Sequence, residues 1–229
     1  MPRVLGIVPA RGGSKGVPNK NLLKLGDKFL LGMVAEALIN SGCVDLALCS
    51  TDSEAIADLA SLVGLEIPFL RPESLARDHS LVIDSVNHAV EYLATVGEYF
   101  DIVCLLQVSS PLVSADHVKK AINLLIEADC DSVISAYRVS KPDPSIMFSS
   151  EGGRVNYLCP ELAKMRRQDW PVFYARAGLV YVFKTKNLDA ATIYGTDIRF
   201  IEVEPQIAID IDDPEDLKAI EFVTGKKFV

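Results

Sequence analysis

The chain has 229 residues, of which 49% are hydrophobic and 24% charged, so it holds enough apolar side chains for a core and is not disordered. The length favours one domain over residues 1–229. The formal net charge of −8 excludes a general nucleic-acid binder, which is usually basic. No apolar stretch approaches the ~20 residues of a membrane span, and no secretory leader pattern is visible, so we expect a cytoplasmic protein without a membrane partner.

The cysteines predict neither disulfides nor zinc. Their number is odd and no C-x-x-C pair occurs among Cys43, Cys49, Cys104, Cys130 and Cys159. This usage is typical of small core residues in a reducing compartment.

Predicted strands and helices alternate along the first 136 residues. Short apolar runs predict buried strands at 4–8, 46–50, 102–106 and 132–136. Apolar residues at helical spacing, with polar or glycine residues at the ends, predict helices at 29–39, from 51, at 82–94 and at 116–126. Alternation of this kind predicts an α/β fold with a mostly parallel sheet.

The pattern changes in the second half of the chain. Residues 138–172 carry four prolines and two glycines and lose the periodicity, so we interpret them as an excursion from the core, either a lobe or an oligomer contact. Order returns in a predicted strand at 177–183, a second strand at 207–211 and a helix at 213–223.

The loop after the first strand is the clearest functional signal. Residues 9–21 place Arg11, Lys15 and Lys20 among three glycines, at the carboxyl end of a strand, where ligands bind in such sheets. Glycines let backbone N–H groups approach phosphate oxygens, and the three cations would neutralise a polyphosphate.

Several motifs compete for this loop. The Walker A and dinucleotide spacings are absent from it, but residues 12–16 satisfy the G-x-S-x-G elbow of serine hydrolases, with Ser14 as the nucleophile. That elbow requires a helix directly after the turn, whereas Pro18 and Asn19 follow here, and of the histidines two, His88 and His117, fall in predicted helices. The hydrolase remains a remote alternative, beside a merely solvated loop.

A pair of carboxylates predicts a metal site near the C-terminus. Asp210 and Asp212 stand two apart in a predicted strand, so both face one side and offer hard oxygen ligands to Mg²⁺. The alternative is that one of them caps the last helix. Asp213 is better placed to cap, with Asp216 three residues later, which leaves the pair free.

Six separated motifs resemble the acylneuraminate cytidylyltransferases, and together they cover about residues 4–222. In chain order they are residues 7–16 with Pro18 and Lys20-Asn21, then Ser50-Thr51-Asp52, Arg71-Pro72-Glu73-Ser74-Leu75-Ala76 with Asp78, Leu106-Gln107-Val108-Ser109-Ser110-Pro111-Leu112, Arg167-Gln168 with Pro171, and Asp210-Ile211-Asp212. The Kdo-activating relatives have a different first loop.

The resemblance implies a Rossmann-like, three-layer α/β/α nucleotidyltransferase. Its reaction would transfer CMP from CTP to the anomeric hydroxyl of a nine-carbon 2-keto sugar acid and release pyrophosphate. It also implies Mg²⁺ as cofactor and a homodimer, with the dimer contact in residues 138–172. The alternative is a nucleotide-binding protein of the same fold that has lost the sugar chemistry.

The resemblance also implies roles for individual residues. Arg11, Lys15 and Lys20 would act on the triphosphate as catalytic cations, and Asp210 and Asp212 would be the metal ligands. No base for the sugar hydroxyl stands out: either the metal lowers the pKa of that hydroxyl, or Asp212 acts through water as a further catalytic residue. The nucleotide would be bound by Ala10, Arg11, Gly12, Gly13, Ser14, Lys15, Asn21, Arg71 and Ser80. The sugar acid would be bound by Gln107, Ser109, Ser110, Arg166 and Arg167, of which an arginine pairs with its carboxylate.

Two positions depart from the family pattern. Val113 stands where the family commonly has arginine, and Ala177 where it commonly has asparagine. Both lie on the sugar side, so the sequence predicts CTP as a substrate but does not specify which nonulosonic acid accepts the CMP.

Overall fold

The fold alternates strands and helices, as seen in a computed structural model that describes residues 1–13, 16–77, 80–140, 144–188 and 192–229. The strands are β1 (Val4–Pro9), β2 (Lys24–Leu25), β3 (Lys28–Phe29), β4 (Leu46–Ser50), β5 (Ile102–Leu105), β6 (Ser132–Arg138), β7 (Phe148–Glu151), β8 (Arg154–Tyr157), β9 (Tyr174–Lys184) and β10 (Ile198–Glu202). The α-helices are α1 (Leu30–Asn40), α2 (Glu54–Leu62), α3 (Val82–Thr95), α4 (Ala115–Ala128) and α5 (Pro214–Thr224).

A six-stranded sheet in the order β10-β6-β9-β5-β1-β4 forms the centre. β1 pairs in parallel with β4 and β5, and β10 pairs in parallel with β6. Only β9, among the strands of this sheet, runs antiparallel to its neighbours. The prediction of a mostly parallel sheet is confirmed, and the reversed β9 brings its first residues to the edge where β5 and β6 end.

The sheet is covered on both faces. Along β1, Val4 and Val8 point into a core that contains α1, α2 and α4, whereas Leu5 and Ile7 point into a second core built against α3. A strand buried on both faces is apolar at every position, which is why it appears in the sequence as a continuous run. The three-layer α/β arrangement predicted from the sequence is therefore confirmed.

The predicted strand at 207–211 is wrong. A short 3₁₀ helix occupies Pro205–Ile207, and the Ile211 N–H donates to the carbonyl of Ser109 at 2.8 Å instead of joining the sheet. The edge position beside β6 is occupied by β10, a strand that no sequence pattern predicted. Ile207, Ala208 and Ile209 are all partly buried and Ile211 is completely buried, so this apolar run reflects packing against a loop and not the alternation of a strand.

The described residues between β6 and β9, 139–140 and 144–173, add no strand to the central sheet. They contain the hairpin β7–β8, in which every residue is exposed and the turn at Gly152-Gly153 has φ of 56° and 79°. Glycine is favoured at such positive φ because it has no Cβ.

Within the described residues, no helix is long and apolar enough to span a membrane.

Candidate active site

The loops that follow β1 and β5, together with the segment from Arg71 to the start of α3, enclose an open cleft of about 280 Å³ at one edge of the sheet, here named the main cleft. Its walls combine cations with small and polar groups. The lining residues are Pro9, Arg11, Gly13, Lys20, Asn21, Arg71, Leu75, Arg77, Ser80, Leu81, Val82, Ser85, Gln107, Val108 and Ser109. Six of them were predicted nucleotide- or triphosphate-site residues, from Arg11 to Ser80, and two more were predicted to contact the sugar.

Hydrogen bonds hold the described part of the first loop. The Asn21 amide donates to the carbonyl of Arg11 at 2.8 Å, so Asn21 supports the loop and also lines the cleft. The Gly12 N–H donates to Asp52 at 3.0 Å, and the Ala10 N–H donates to Ser50 at 3.0 Å. Ala10 is buried, so its place is beneath the cleft. The predicted residues Ser14 and Lys15 lie outside the described residues.

Two positions in this loop require glycine, each for a different physical reason. A Cβ on Gly13 would meet no atom of the described residues within 4 Å, so their side of the cleft leaves room for a ligand to approach the backbone. A Cβ on Gly16 would collide with the carbonyl oxygen of Asp212. Glycine at position 16 therefore lets the first loop pack directly against the segment that carries the carboxylate pair.

Lys20 joins the main cleft to the carboxylate pair. Its ammonium donates to the carbonyl of Ile211, and burial lowers its pKa while the charges of Asp210 and Asp212 act to raise it. Burial raises the pKa of Asp212, and the charge of Asp210 raises it further. The charge of Asp210 therefore acts on Asp212, and both residues lie in a loop and not in the predicted strand.

The helix that follows leaves the pair free of capping, as predicted. Asp213 is the N-cap of α5, and its carboxylate accepts from the backbone N–H groups of Glu215 and Asp216 at 2.8 and 3.1 Å. The Asp216 carboxylate accepts in return from the N–H groups of Asp212 and Asp213. This capping box fixes the backbone of Asp212 without using its carboxylate.

The carboxylate pair fits Mg²⁺ only together with substrate. No group of three or more His, Cys, Asp or Glu side chains suited to a metal occurs among the described residues. Mg²⁺ commonly binds one or two carboxylates, with substrate phosphates and water completing the octahedron. Asp210 and Asp212, beside a cation-lined cleft, suit that mode.

Arg71 is a buried cation at the floor of the cleft. Its side chain is 4% exposed, donates to the hydroxyl of Ser85, and lies 3.7 Å from the carboxylate of Asp52. Burial lowers its pKa, against the opposing charge of Asp52. Its Nε has no protein partner within the described residues although it is buried. A buried guanidinium with an unsatisfied N–H at a cleft can donate a hydrogen bond to a ligand oxygen.

Ser80 and Arg77 border the cleft from the segment before α3. The Ser80 N–H donates to the Arg77 carbonyl at 3.0 Å, and its hydroxyl donates to Ser74 at 3.2 Å. Arg77 was not predicted. In the sequence Arg77 is only a cation next to the motif that begins at Arg71, and nothing there predicts a ligand contact. The tertiary structure shows that it lines the main cleft.

The predicted sugar-binding residues divide in the structure. Gln107 and Ser109 line the main cleft, whereas Ser110 is completely buried and its hydroxyl lies 3.4 Å from Asp210. Arg166 lies in the excursion, where its exposed side chain pairs with Asp169 at 2.8 Å. Within the described chain Arg166 therefore does not reach the cleft, and the side chain of Arg167 lies outside what the structure describes.

A second cavity of about 240 Å³, here named the side cavity, adjoins the main cleft. The two share Leu81, Val82 and Gln107. The remaining lining is Ile83, Leu105, Arg176, Tyr181, Thr192, Ile193 and Tyr194, none of which was predicted as a site residue.

The histidines do not support a hydrolase. His88 packs edge-on against Phe69 with ring centroids 4.7 Å apart, and the Nδ1 of His117 accepts from the N–H of Ser114 at the start of α4. Both therefore have structural roles in helices, as their positions predicted. The third histidine, His79, lies outside the described residues.

Cations and a carboxylate pair at the carboxyl edge of a mostly parallel sheet are the features of an α/β nucleotidyltransferase. A family model described as cytidylyltransferase matches residues 5–228. The chain belongs to the cytidylyltransferase family, and the resemblance inferred from its motifs is confirmed.

Individual relatives refine this placement. The chain is 30% identical over 213 residues to the pseudaminic acid cytidylyltransferase of Campylobacter jejuni, with 93% of this chain and 92% of the relative covered. It is 32% identical over 223 residues to the CMP-N,N'-diacetyllegionaminic acid synthase of Legionella pneumophila, with 93% of each covered. A solved CMP:2-keto-3-deoxy-manno-octonic acid synthetase complexed with CTP has the same fold, with a TM-score of 0.70, 17% identity and 97% and 98% coverage.

Proposed function

We propose that this chain transfers CMP from CTP to the anomeric hydroxyl of a nonulosonic acid. The observation that carries the proposal is the main cleft, where Arg11, Lys20, Arg71 and Arg77 converge beside Asp210 and Asp212. The relatives named for pseudaminic and legionaminic acid support the same class of acceptor, since the alignments span nearly the whole of each chain.

The chemistry is a displacement at phosphorus. The anomeric oxygen forms a bond to the α-phosphorus of CTP, the bond from that phosphorus to the bridging oxygen breaks, and pyrophosphate leaves with the electron pair. Arg11 and Lys20, with Lys15 as the third cation of the same loop, offset the charge on the phosphates and on the departing pyrophosphate. Gln107 orients the acceptor where the main cleft meets the side cavity.

The cofactor of the proposed reaction is Mg²⁺, held by Asp210 and Asp212. It would polarise the phosphoryl oxygens and neutralise developing charge. Ser110 orients Asp210 through its hydroxyl, and the capping box of α5 positions the backbone of Asp212. Asp212 also serves, through water, as the acceptor of the hydroxyl proton.

On the nucleotide side, the open backbone at Gly13 contacts the phosphates, and the resemblance assigns Ser14 to the same role. Ala10 and Gly12, whose N–H groups donate to Ser50 and Asp52, fix the loop beside the nucleotide. Asn21 holds the loop through the Arg11 carbonyl, and Arg71 with Ser80 borders the position of the base. On the acceptor side, Ser109 joins Gln107 in lining the cleft.

The proposed enzyme is a homodimer whose contact is the excursion at 138–172, including Arg166 and Arg167. Large apolar side chains of this segment are exposed, among them Ile146 at 63%, Phe148 at 54% and Tyr157 at 55%. An exposed apolar patch of this kind is typical of a protein–protein contact.

The described cysteines are all free, which supports a cytoplasmic site of action.

The direct test is pyrophosphate release from CTP and Mg²⁺ with pseudaminic, legionaminic and N-acetylneuraminic acid in turn. We expect release with at least one acid, together with the CMP-sugar, and none when UTP replaces CTP. Tight CTP binding without release for any acid would overturn the proposal and favour a nucleotide-binding protein that has lost the sugar chemistry.

A further inference from the structure

The side cavity adjoins the main cleft at the residue where the acceptor is expected. Gln107, Leu81 and Val82 belong to both walls. The part of the wall that is not shared is largely apolar, and Arg176 is the one charged side chain among its described residues. The cavity is therefore placed to receive the second substrate of a reaction whose first substrate lies in the main cleft.

β9 brings Arg176 to this position because it runs antiparallel and carries a bulge. Tyr181 pairs with Ile134 and Arg176 with Ala136, so five residues of β9 advance against two of β6. Gly178, inside the bulge, has a φ of 75°. Bulges bend a strand and redirect side chains, and they are common beside active sites.

Two tyrosines hold the guanidinium in place. Its Nη1 donates to the hydroxyl of Tyr194 at 2.5 Å, and its Cζ lies 5.8 Å from the ring centroid of Tyr181. No carboxylate among the described residues forms an ion pair with Arg176, and Asp210 acts on it only at longer range. A guanidinium has five N–H donors, so the contact to Tyr194 leaves donors that can face a ligand.

We propose that Arg176 binds the carboxylate of the acceptor acid and that Tyr194 positions the guanidinium for it. The inference rests on the proposed function and names the anchor for its second substrate. In a 2-keto sugar acid the carboxylate is attached to the anomeric carbon, the same carbon that bears the attacking hydroxyl. Fixing the carboxylate in a two-bonded arginine fork therefore aims the hydroxyl at the α-phosphorus.

The choice of carboxylate over phosphate follows from where the cations lie. The triphosphate has its own cations in the main cleft, and Arg176 does not line that cleft. The neighbouring wall of Ile83, Leu105 and Ile193 suits the carbon skeleton and acyl groups of a sugar acid and would not solvate a second phosphate chain. The sequence predicted Arg166 or Arg167 for this contact. Within one chain Arg166 does not reach the cleft, so we assign the contact to Arg176 instead.

The experiment compares wild type, Arg176→Gln and Tyr194→Phe, with Arg199→Gln as the matched control. Arg199 is an exposed arginine near the start of the edge strand β10, where it pairs with Asp197. It lies toward the end of the sheet opposite the main cleft. Binding of each acid and of its carboxamide is measured by calorimetry, and the KM values for acid and CTP by pyrophosphate release. We expect Arg176→Gln to weaken acid binding about 10- to 100-fold with an unchanged KM for CTP.

Replacing the carboxylate by a carboxamide should weaken binding to wild type by a similar factor and have little effect on Arg176→Gln. Tyr194→Phe should give a smaller loss confined to the acid, and Arg199→Gln none. Equal carboxamide penalties in wild type and Arg176→Gln would overturn the inference, as would a KM change shared by CTP. If wild type binds the acid through Arg176 but releases no pyrophosphate, the proposed function fails and the carboxylate anchor stands.

Discussion

Single side chains in this protein act through the few groups they touch, and Asp210 is the sharpest example. It is one of two adjacent carboxylates, and its only described hydrogen-bond partner is the hydroxyl of Ser110. Asparagine keeps its shape and its capacity to accept from Ser110, while it removes the charge that a hard cation requires.

We therefore predict that Asp210→Asn lowers pyrophosphate release at least about 100-fold, because the proposed Mg²⁺ would supply several kcal/mol of charge stabilisation. The rate is measured across Mg²⁺ concentrations at saturating CTP. Asp197→Asn is the matched control, since this exposed carboxylate pairs with Arg199 on β10, and it should keep the wild-type rate. A near-normal rate for Asp210→Asn would remove this residue from the metal site.

Arg71 and Arg77 line the same cleft but differ in burial. Arg71 is buried and bonded to Ser85, whereas Arg77 is exposed. We predict that Arg71→Gln raises the KM for CTP and also lowers the free energy of unfolding by about 1–3 kcal/mol, because buried partners are left unpaired. Arg77→Gln should raise the KM for CTP alone. Urea unfolding measures the stability of each variant, and steady-state kinetics measures its KM for CTP. A loss of stability in Arg77→Gln would contradict the proposed difference between the buried and the exposed arginine.

At the scale of elements, the start of α5 couples helix stability to the site. Asp213 caps the helix and lies next to Asp212 in the chain. We predict that Asp213→Ala costs about 1 kcal/mol of unfolding free energy, because two N–H groups at the helix start lose their acceptor. Activity should fall as well, since the capping box positions Asp212. Asp213→Asn, which still accepts a hydrogen bond, should restore most of both in urea unfolding and in the pyrophosphate assay.

Elements also show how far local sequence predicts structure. The strands β1, β4 and β5 and the helices α3, α4 and α5 were predicted within a few residues, because continuous apolar runs and caps are local signals. The edge strand β10 was missed because four of its five residues are exposed. The segment 207–211 was misread because an apolar run buried against a loop has the pattern of a strand.

For the molecule as a whole, the exposed apolar side chains of the hairpin β7–β8 offer a surface for a second copy of the chain. The hairpin β7–β8 packs Phe148 against Tyr157 with ring centroids 6.0 Å apart, and both rings remain about half exposed, at 54% and 55%. A dimer would bury these apolar faces and remove them from water.

We predict that the wild type has about twice the chain mass of 25.0 kDa in solution and that Phe148→Asp shifts it toward monomer. Light scattering after size exclusion measures the mass across protein concentrations. Leu62→Asp is the matched control, because Leu62 on α2 is 79% exposed and lies outside the excursion, so this variant should stay dimeric. A monomeric wild type at all concentrations would contradict the prediction.

Local sequence is enough to predict the α/β class, the cation- and glycine-rich loop after β1, the cap at Asp213 and the family. These depend on neighbouring residues, whose spacing expresses burial and charge directly. The tertiary structure decided the direction of β9, the place of β10 at the sheet edge, and the assembly of Arg77, Arg176 and Tyr194 around the cleft. A strand buried on both faces is equally apolar whichever way it runs, so its own residues do not encode its direction, and its direction decides which end reaches the site.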